Sequence, residues 1–275
     1  VVRRFRSPLS TSNYTAFVGL SLASHGCKIY VRRLATLPHH KQVQWGCIYL
    51  PTLAFRGWRC QQTCTILLLE YRMGGLLPDW SYNSGGISKP SDVAHHWDEV
   101  SAYYQMPIDG DIWLEDPLAS SYPPSIAFKA AQLQNEEKAL VFLRLMREMV
   151  FLEKKNIAKW EQIEQAALQA NLNTQRLKND MALQGKTNFE ADLELSCKLG
   201  VRGFPTIFFL DNSGNKEIVY GSKPYAFYET SVLKLHPKAI KNEYSKNWET
   251  LFAKYNSLTA KEFSELSGTP RAESE

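Results

Sequence analysis

A proline placed one step before a run of strand-forming residues constrains the fold of this chain more than any other feature. The run is LGVRGFPTIFFLD, from Leu199 to Asp211. Proline has no amide hydrogen to donate to a sheet ladder, so it is confined to strand starts, edges and bulges. We therefore expect Pro205 to lie at the entrance of a buried strand that includes Ile207 to Leu210.

Length and composition narrow the class of protein. A chain of 275 residues, 44% of them apolar and 12% aromatic, can build one large domain or two small ones around a sizeable core. Its longest apolar runs are far shorter than the roughly 20 residues of a membrane-spanning helix, so we expect no membrane segment. Five irregularly spaced cysteines do not predict a disulfide-stapled secreted scaffold. A reducing, cytoplasmic compartment is the expectation.

Charge is distributed unevenly along the chain. Residues 1–69 contain no Asp or Glu, and the first acid is Glu70. An acid-free, Arg-containing start is typical of a transit peptide, and RRFR followed by AFVGLSLA resembles a signal sequence. A reading-frame error upstream of about Glu70 is the third explanation, and all three stay open. We expect the segment before about Cys60 to pack poorly, because it shows no sustained period.

From Glu70 onward the chain shows an orderly alternation of elements. Thr63 to Arg72 reads as a buried strand, and PTIFFLD and KEIVYG, joined by the turn DNSGN, predict an antiparallel hairpin. Apolar residues at helical spacing predict seven helices. The first is capped by Ser91, the second follows Pro123 and Pro124, and the third is capped by Asn135 and has a core face over Phe142 to Phe151. The others lie around Trp160 to Ala167 and over Thr174–Leu183, Phe189–Leu199 and Pro224–Leu235. Gly200 is expected to stop the helix before the hairpin. This order predicts an α/β layer with a helical insertion, not a repeat protein.

Several motifs in this stretch resemble one family. YRMGGLLPDW, GDIWLEDP, SSYPPSIAFKAAQLQ, FLRLMREMVFLEKKNI and GVRGFPT, between about Glu70 and His236, resemble the DsbA-like thioredoxin-fold family. The branch concerned includes FrnE-type dithiol oxidoreductases and YjbH-like protease adaptors. The resemblance implies an α/β, thioredoxin-like fold over 63–236 with a helical insertion over about 91–185. It also implies a first strand and an active-site helix within 1–62, and 237–275 reads as an appended C-terminal helical tail.

The resemblance also implies where a site should lie. A cis bond is expected between Phe204 and Pro205, and Phe204, Pro205 and Thr206 would line the substrate groove. The family's chemistry needs a C-x-x-C pair at a helix N-terminus, which lowers the thiol pKa. The expected position falls at Cys47, but Leu50 takes the place of its partner and no C-x-x-C occurs anywhere in the chain.

The remaining cysteines do not supply the missing pair. Cys60 and Cys64 are spaced C-x-x-x-C, and their ordinary interpretation is as small buried apolar residues. Cys197, late in a helix, is expected to be a packing residue too. Cys47 alone remains as the candidate catalytic residue.

Other polar clusters predict no further site. His39–His40 and His95–His96 are adjacent pairs, and neighbours on a helix point about 100° apart, which makes a poor chelate. Asp109, Asp111, Glu115 and Asp116 lack the spacing of a calcium loop and read as a solvated loop. No nucleophile elbow or phosphate-cradling glycine motif is present. We expect no metal, no cofactor, and neither nucleic acid nor membrane as a partner.

The C-terminal tail follows its own pattern. NWETLFAKYNS is amphipathic, and Thr259 and Glu262 have capping-box spacing, so one or two appended helices are predicted. They either cover the domain or bind a partner, and the sequence leaves both open.

Two functional hypotheses follow from the resemblance. The first is protein thiol–disulfide exchange with a substrate strand beside Pro205, which is impaired in this chain because the C-x-x-C is missing. The second is a non-catalytic adaptor of the YjbH-like type, which holds a partner protein in the same groove and needs no second cysteine. A glutathione-conjugating or isomerase activity, known in another DsbA-like branch, is a third alternative. The oligomeric state is left open.

Overall fold

A computed structural model describes residues 27–33, 58–60, 67–75, 77–81, 89–201, 205–211, 213–221, 223–237, 239–241 and 243–275. Its central feature is a four-stranded sheet in the order β3-β1-β4-β5. The strands are β1 (Cys27–Arg33), β3 (Leu67–Met73), β4 (Thr206–Leu210) and β5 (Lys216–Tyr220). A second, two-stranded sheet pairs β2 (Trp58–Cys60) with β6 (Ala239–Lys241).

Strand β1 lies between β3 and β4. It runs antiparallel to β3, with Ile29 opposite Tyr71, and parallel to β4, with Ile29 opposite Ile207. Strands β1 and β2 fall within residues 1–62, most of which lie outside the described residues. The predictions of an active-site helix and of poor packing in that region therefore stay predictions.

The predicted hairpin is confirmed. Strands β4 and β5 pair antiparallel, with Phe208 opposite Ile218. The Asp211 side chain accepts hydrogen bonds from the backbone amides of Ser213 and Asn215, each at 2.8 Å, and so fixes the turn. Because β4 lies between β1 and β5, the prediction of a near-central strand at Ile207 to Leu210 is also confirmed.

A helical insertion separates β3 from β4. Its helices are α1 (Ser91–Tyr104), α2 (Ile112–Glu115), α3 (Tyr122–Gln134), α4 (Glu136–Leu152), α5 (Trp160–Gln169), α6 (Thr174–Ala182) and α7 (Gln184–Lys198). Asn135 caps α4 by accepting a hydrogen bond from the Lys138 amide, as predicted. The prediction that Ser91 caps α1 is wrong: the helix begins at Ser91, its cap position is Pro90, and no side-chain cap bond forms.

The core of the insertion is built on α4, as the sequence predicted. Phe142 and Val150 are fully buried, and the burial of each apolar side chain contributes about 2 kcal/mol. Phe151 packs its ring 5.3 Å from that of Trp97 on α1. Helix α7 packs closely against α3, because a Cβ at Gly185 would lie 2.9 Å from Ala130 Cβ.

The C-terminal residues add further helices. Helix α8 (Tyr225–Leu235) packs on the sheet beside β5, and α9 (Trp248–Lys254) and α10 (Ala260–Ser267) follow β6. The predicted capping box is confirmed, because Thr259 and Glu262 exchange both of its hydrogen bonds at the start of α10. Within the ranges given above, no helix combines the length and apolar character needed to cross a membrane.

Candidate functional site

The start of β4 is where the sequence places a substrate groove. Pro205 is buried, and its carbonyl oxygen accepts a hydrogen bond of 2.8 Å from the Gly221 amide. Pro205 directly precedes β4 and contributes only an acceptor to its pair with Gly221, because it has no N–H to donate in return, which confirms its predicted place at a strand entrance. Thr206 is 3% exposed and pairs with Tyr220. Phe204 lies outside the described residues, and so the cis bond stays a prediction.

Helix α7 delivers the chain to this strand. Gly200 has φ +65°, its amide donates to the Cys197 carbonyl at 3.0 Å, and the Val201 amide donates to the Ser196 carbonyl at 3.1 Å. These two bonds form a Schellman motif, which ends a helix at a residue in the left-handed region. The helix stop predicted at Gly200 is therefore confirmed.

A buried carboxylate on α7 fixes the insertion to the sheet. Asp192 is fully buried, and its Oδ2 accepts a hydrogen bond of 2.8 Å from the Met73 amide at the end of β3. The same oxygen lies 3.1 Å from Lys129 Nζ on α3. Arg72 Nη1 donates to Asp192 Oδ1 at 3.0 Å. One side chain therefore joins a strand and two helices.

The charges around Asp192 continue along the edge of β3. Arg72 also donates to Glu70 Oε2 at 2.8 Å. Burial opposes the charge on Arg72, but its bonds to Glu70 and Asp192 raise the pKa of the guanidinium overall. At the start of α4, burial raises the pKa of Glu136, although Gln132 donates a hydrogen bond of 2.8 Å to this carboxylate.

The comparisons with known proteins decide the family. The family model described as Thioredoxin matches residues 60–230, well over half of the chain. The chain belongs to the DsbA-like thioredoxin family. The match covers the stretch in which the sequence motifs lie. The observed α/β fold with its helical insertion is the fold that the family resemblance implied.

Two curated relatives of this DsbA-like chain carry the same description, ClpXP adapter protein SpxH. The protein from Halalkalibacterium halodurans is 36% identical over 166 residues, which cover 58% of this chain and 54% of the relative. The protein from Bacillus subtilis is 32% identical over 142 residues, which cover 50% and 48%. The chain thus spans about half the length of these relatives. A solved structure described as a putative protein disulfide isomerase from Nitrosomonas europaea is 16% identical, covers 53% of this chain and 74% of its own, and has a TM-score of 0.48.

Among the five cysteines of this DsbA-like chain, Cys197 is the one whose side chain the structure describes, and it is a free thiol. Cys47 and Cys64 lie outside the described residues, and Cys60 ends β2. The prediction that Cys197 is a packing residue is wrong, because its side chain is exposed. The buried face of α7 carries Phe189, Asp192 and Ser196, and Cys197 lies about 100° away from Ser196 around the helix.

The other polar clusters contact nearby side chains. His95 and His96 are exposed on α1, with nitrogens 3.4 and 3.8 Å from Glu99 oxygens. Lys154 Nζ pairs with Glu115 at 2.5 Å, and Lys159 Nζ pairs with Asp116 at 2.8 Å. In the described ranges, no three His, Cys, Asp or Glu side chains come together as a metal site. His39 and His40 lie outside these ranges.

A second buried ionic group joins the C-terminal helices to the insertion. Arg144 on α4 donates to Glu262 on α10 at 3.0 Å and to Glu148 at 2.8 Å. Burial would lower the pKa of Arg144, but the charges of Glu262 and Glu148 raise it overall. Neither Arg144 nor Asp192 was assigned a role from the sequence alone. A charged residue in register with an apolar helix face, as Asp192 is with Phe189, is the sequence signal that could have identified them.

Proposed function

We propose that this chain is an adaptor that binds a partner protein and delivers it to a ClpXP-type protease, in the cytoplasm. The observation that carries the proposal is the 36% identity over 166 residues to a protein described as a ClpXP adapter. That similarity falls on a chain whose sequence has no C-x-x-C pair. The proposal thus favours the second of the two hypotheses that the sequence left open.

The thiol chemistry of the family supports the same choice. A dithiol oxidoreductase forms a mixed disulfide with its substrate and resolves it with a second, neighbouring thiol. Leu50 occupies the position where that second thiol is expected after Cys47. A lone Cys47 would be trapped in the mixed disulfide, and net oxidation of a substrate would be very slow. Protein binding requires no such second thiol.

The groove at the start of β4 is the proposed contact for an extended partner. In this proposal Phe204, Pro205 and Thr206 line it, as the family resemblance implies. The DsbA-like domain over 63–236 supplies the groove, and the helical extension over 237–275 is fixed to it by the Arg144–Glu262 pair. Asp192 holds the insertion in place beside the sheet. A rigid scaffold of this kind positions a binding surface without catalytic groups.

Thiol–disulfide exchange remains the second candidate function. The match to the thioredoxin family model over 60–230 favours it, because the ancestral activity of that family uses a cysteine in the same fold. Cys47 would be the nucleophile. Activity would then require Cys60 or Cys64 to approach Cys47 in the fold.

Protein half-lives in the native host test the adaptor proposal. Half-lives would be measured by pulse labelling and proteomics in the parent, in a strain lacking this chain, in a strain lacking ClpP, and in one lacking both. We expect a small set of proteins to become several-fold longer-lived when the chain is absent, and re-expression to reverse the effect. In the ClpP-deficient background, loss of the chain should change nothing further. If no ClpP-dependent half-life changes when the chain is removed, the proposal is wrong.

A further inference from the structure

The outer edge of β5 is a free sheet edge within the part of the chain that the structure describes. Strand β5 ends the order of the four-stranded sheet, and no strand of the described residues pairs with its outer side. The Asp211 amide donates to the Asn215 carbonyl at 3.1 Å, and the Gly221 amide donates to the Pro205 carbonyl at 2.8 Å. Because hydrogen-bonded pairs alternate along an antiparallel ladder, Glu217 and Val219 also point their backbone groups toward β4. The N–H and C=O groups at positions 216, 218 and 220 therefore point outward.

Two of the three side chains on the exposed face of β5 are apolar. Ile218 is 47% exposed and Tyr220 is 57% exposed, whereas Val219 on the opposite face is 6% exposed. Natural edge strands are commonly protected by charged side chains, proline or bulges. In β5 the exposed face carries Lys216 at the turn end only, and the remaining two positions are apolar. With respect to the described residues, the middle and far end of the edge are therefore open to strand addition.

The charge on the exposed face of β5 is positive. Glu217 belongs to the other face and pairs with Lys234 Nζ at 3.2 Å. Lys216 Nζ lies 5.9 Å from the centre of the Phe208 ring, on the face that carries Ile218. An acidic side chain placed opposite Lys216 would meet this ammonium group.

The length of the edge argues against a second copy of the chain as the occupant. Strand β5 has five residues. A stable protein–protein interface uses about 20 to 30 residues on each side, far more than two such edges supply. A short extended segment bound transiently needs no larger surface, because main-chain hydrogen bonds and alternate side-chain contacts suffice for strand addition.

We propose that the outer edge of β5 binds an extended segment of a partner protein by antiparallel strand addition. The segment carries apolar residues opposite Ile218 and Tyr220 and an acidic residue opposite Lys216. Antiparallel pairing is favoured because it is more stable per residue than parallel pairing. This inference rests on the proposed adaptor function and adds a second contact, at the sheet edge, through which the adaptor holds its client.

A designed peptide tests the edge directly. The probe is acetyl-Ser-Val-Thr-Val-Thr-Glu-Ser-amide, in which the two valines and the glutamate face Tyr220, Ile218 and Lys216. Titrated into the full chain, it should bind with a Kd on the order of 100 μM. N-methylation of the two valine nitrogens removes donors to β5 and should weaken binding about tenfold. Equal binding of the methylated probe, or no binding of the parent probe at about 1 mM, would overturn the proposal.

Variants of the chain provide the matched test. Ile218→Pro removes an outward N–H that β4 does not use, and proline is tolerated on edge strands. We expect Ile218→Pro to weaken probe binding about tenfold, and Ile218→Val, which keeps the N–H, to change it less than about twofold. Should Ile218→Pro unfold the chain, as judged by circular dichroism, the methylated probe on the unaltered chain decides. A wild-type dimer in sedimentation that Ile218→Pro dissociates would assign the edge to a second copy and overturn the proposal.

The half-life experiment separates failure of the edge from failure of the adaptor function. With Ile218→Pro in place of the wild-type chain, the client proteins should be as long-lived as in the strain lacking the chain. If Ile218→Pro restores their turnover fully, clients do not use the β5 edge, and the adaptor function stands. If even the wild-type chain changes no half-life, the adaptor function fails, and the peptide titration still decides whether the edge binds an extended segment.

Discussion

Asp192 on α7 accepts a hydrogen bond of 2.8 Å from the backbone amide of Met73 at the end of β3, across 119 residues of sequence. The same carboxylate lies 3.1 Å from Lys129 Nζ, and both side chains are buried. This contact fixes the helical insertion relative to the sheet, because it joins α7, the last helix of the insertion, to the end of β3, the strand that precedes the insertion.

Asp192→Asn should destabilise the chain strongly. The substitution removes the negative charge and leaves the Lys129 ammonium buried without its partner, which costs about 3–5 kcal/mol. Urea denaturation followed by circular dichroism measures the loss. Glu190→Gln on the same helix is the control, because its pair with Lys186 is exposed and the change should stay within about 0.5 kcal/mol. Equal stabilities for the two variants would contradict the role given to Asp192.

Glu262→Gln should loosen the C-terminal helices. It removes one of the two carboxylates that pair with Arg144, which is 7% exposed and keeps Glu148, and the loss of this charged hydrogen bond costs about 2 kcal/mol. In this variant, amide hydrogen exchange should become faster than in wild type in α9 and α10, and it should stay unchanged in α3. Glu265→Gln removes only the exposed pair with Lys261 and should leave exchange unchanged. If α9 and α10 exchange at the same rate in Glu262→Gln as in wild type, the Arg144–Glu262 pair does not hold the C-terminal extension in place.

The buried charges explain part of what sequence reasoning could not predict. Apolar periodicity identified the core face of α4 correctly, because Phe142 and Val150 recur at helical spacing. Asp192 and Arg144 were not predicted to be buried, because their partners include residues 63 and 118 positions away. The apolar helix face in register with each residue is a local signal of burial, but the identity of a distant partner has none, whereas both members of the capping box at Thr259 are close in sequence.

Gly200→Ala should destabilise the helix end without any steric clash. A Cβ at this position would meet no atom within 4 Å, but the backbone has φ +65°. The cost is therefore that of a left-handed conformation, about 1–2 kcal/mol. Gly200→Asn should cost less, because asparagine tolerates this region better than alanine does. Thermal denaturation of the two variants checks the order, and an alanine variant as stable as wild type would contradict the Schellman geometry.

The helix end at Gly200 and the turn that follows it were predicted correctly from short stretches of sequence. Gly200 marks a helix stop, and the Asp211 turn marks the hairpin, because both depend on residues adjacent in sequence. The antiparallel pairing of β1 with β3 and the β2–β6 sheet were not predicted, since strand pairing across long separations leaves no periodic signal. Cys47 and Phe204, the two site residues outside the described ranges, remain predictions from the family resemblance.

Glu136 should make stability depend on pH. Burial raises the pKa of its carboxyl above the ordinary value of 4.5. A carboxyl with a raised folded-state pKa binds its proton more tightly in the folded state, so its stabilising contribution is complete below 4.5 and is lost as pH rises through the raised value. Glu136→Gln should therefore gain stability relative to wild type as pH rises from 4.5 through the raised value, and the difference should then stay constant. Denaturant titrations across this range measure the difference, and a pH-independent difference would contradict the assignment.

The role of thiol chemistry is the central question, and a cysteine-free chain tests it most directly. Cys27, Cys47, Cys60, Cys64 and Cys197 would be replaced by Ser or Ala, and ClpP-dependent half-lives measured in the native host beside an insulin-reduction assay of the wild-type chain. The adaptor account predicts that the cysteine-free chain restores client turnover to within about twofold of wild type, and that wild type does not reduce insulin catalytically. Loss of client turnover in the folded cysteine-free chain, together with insulin reduction by wild type that Cys47→Ser abolishes, would contradict the account and establish a thiol oxidoreductase.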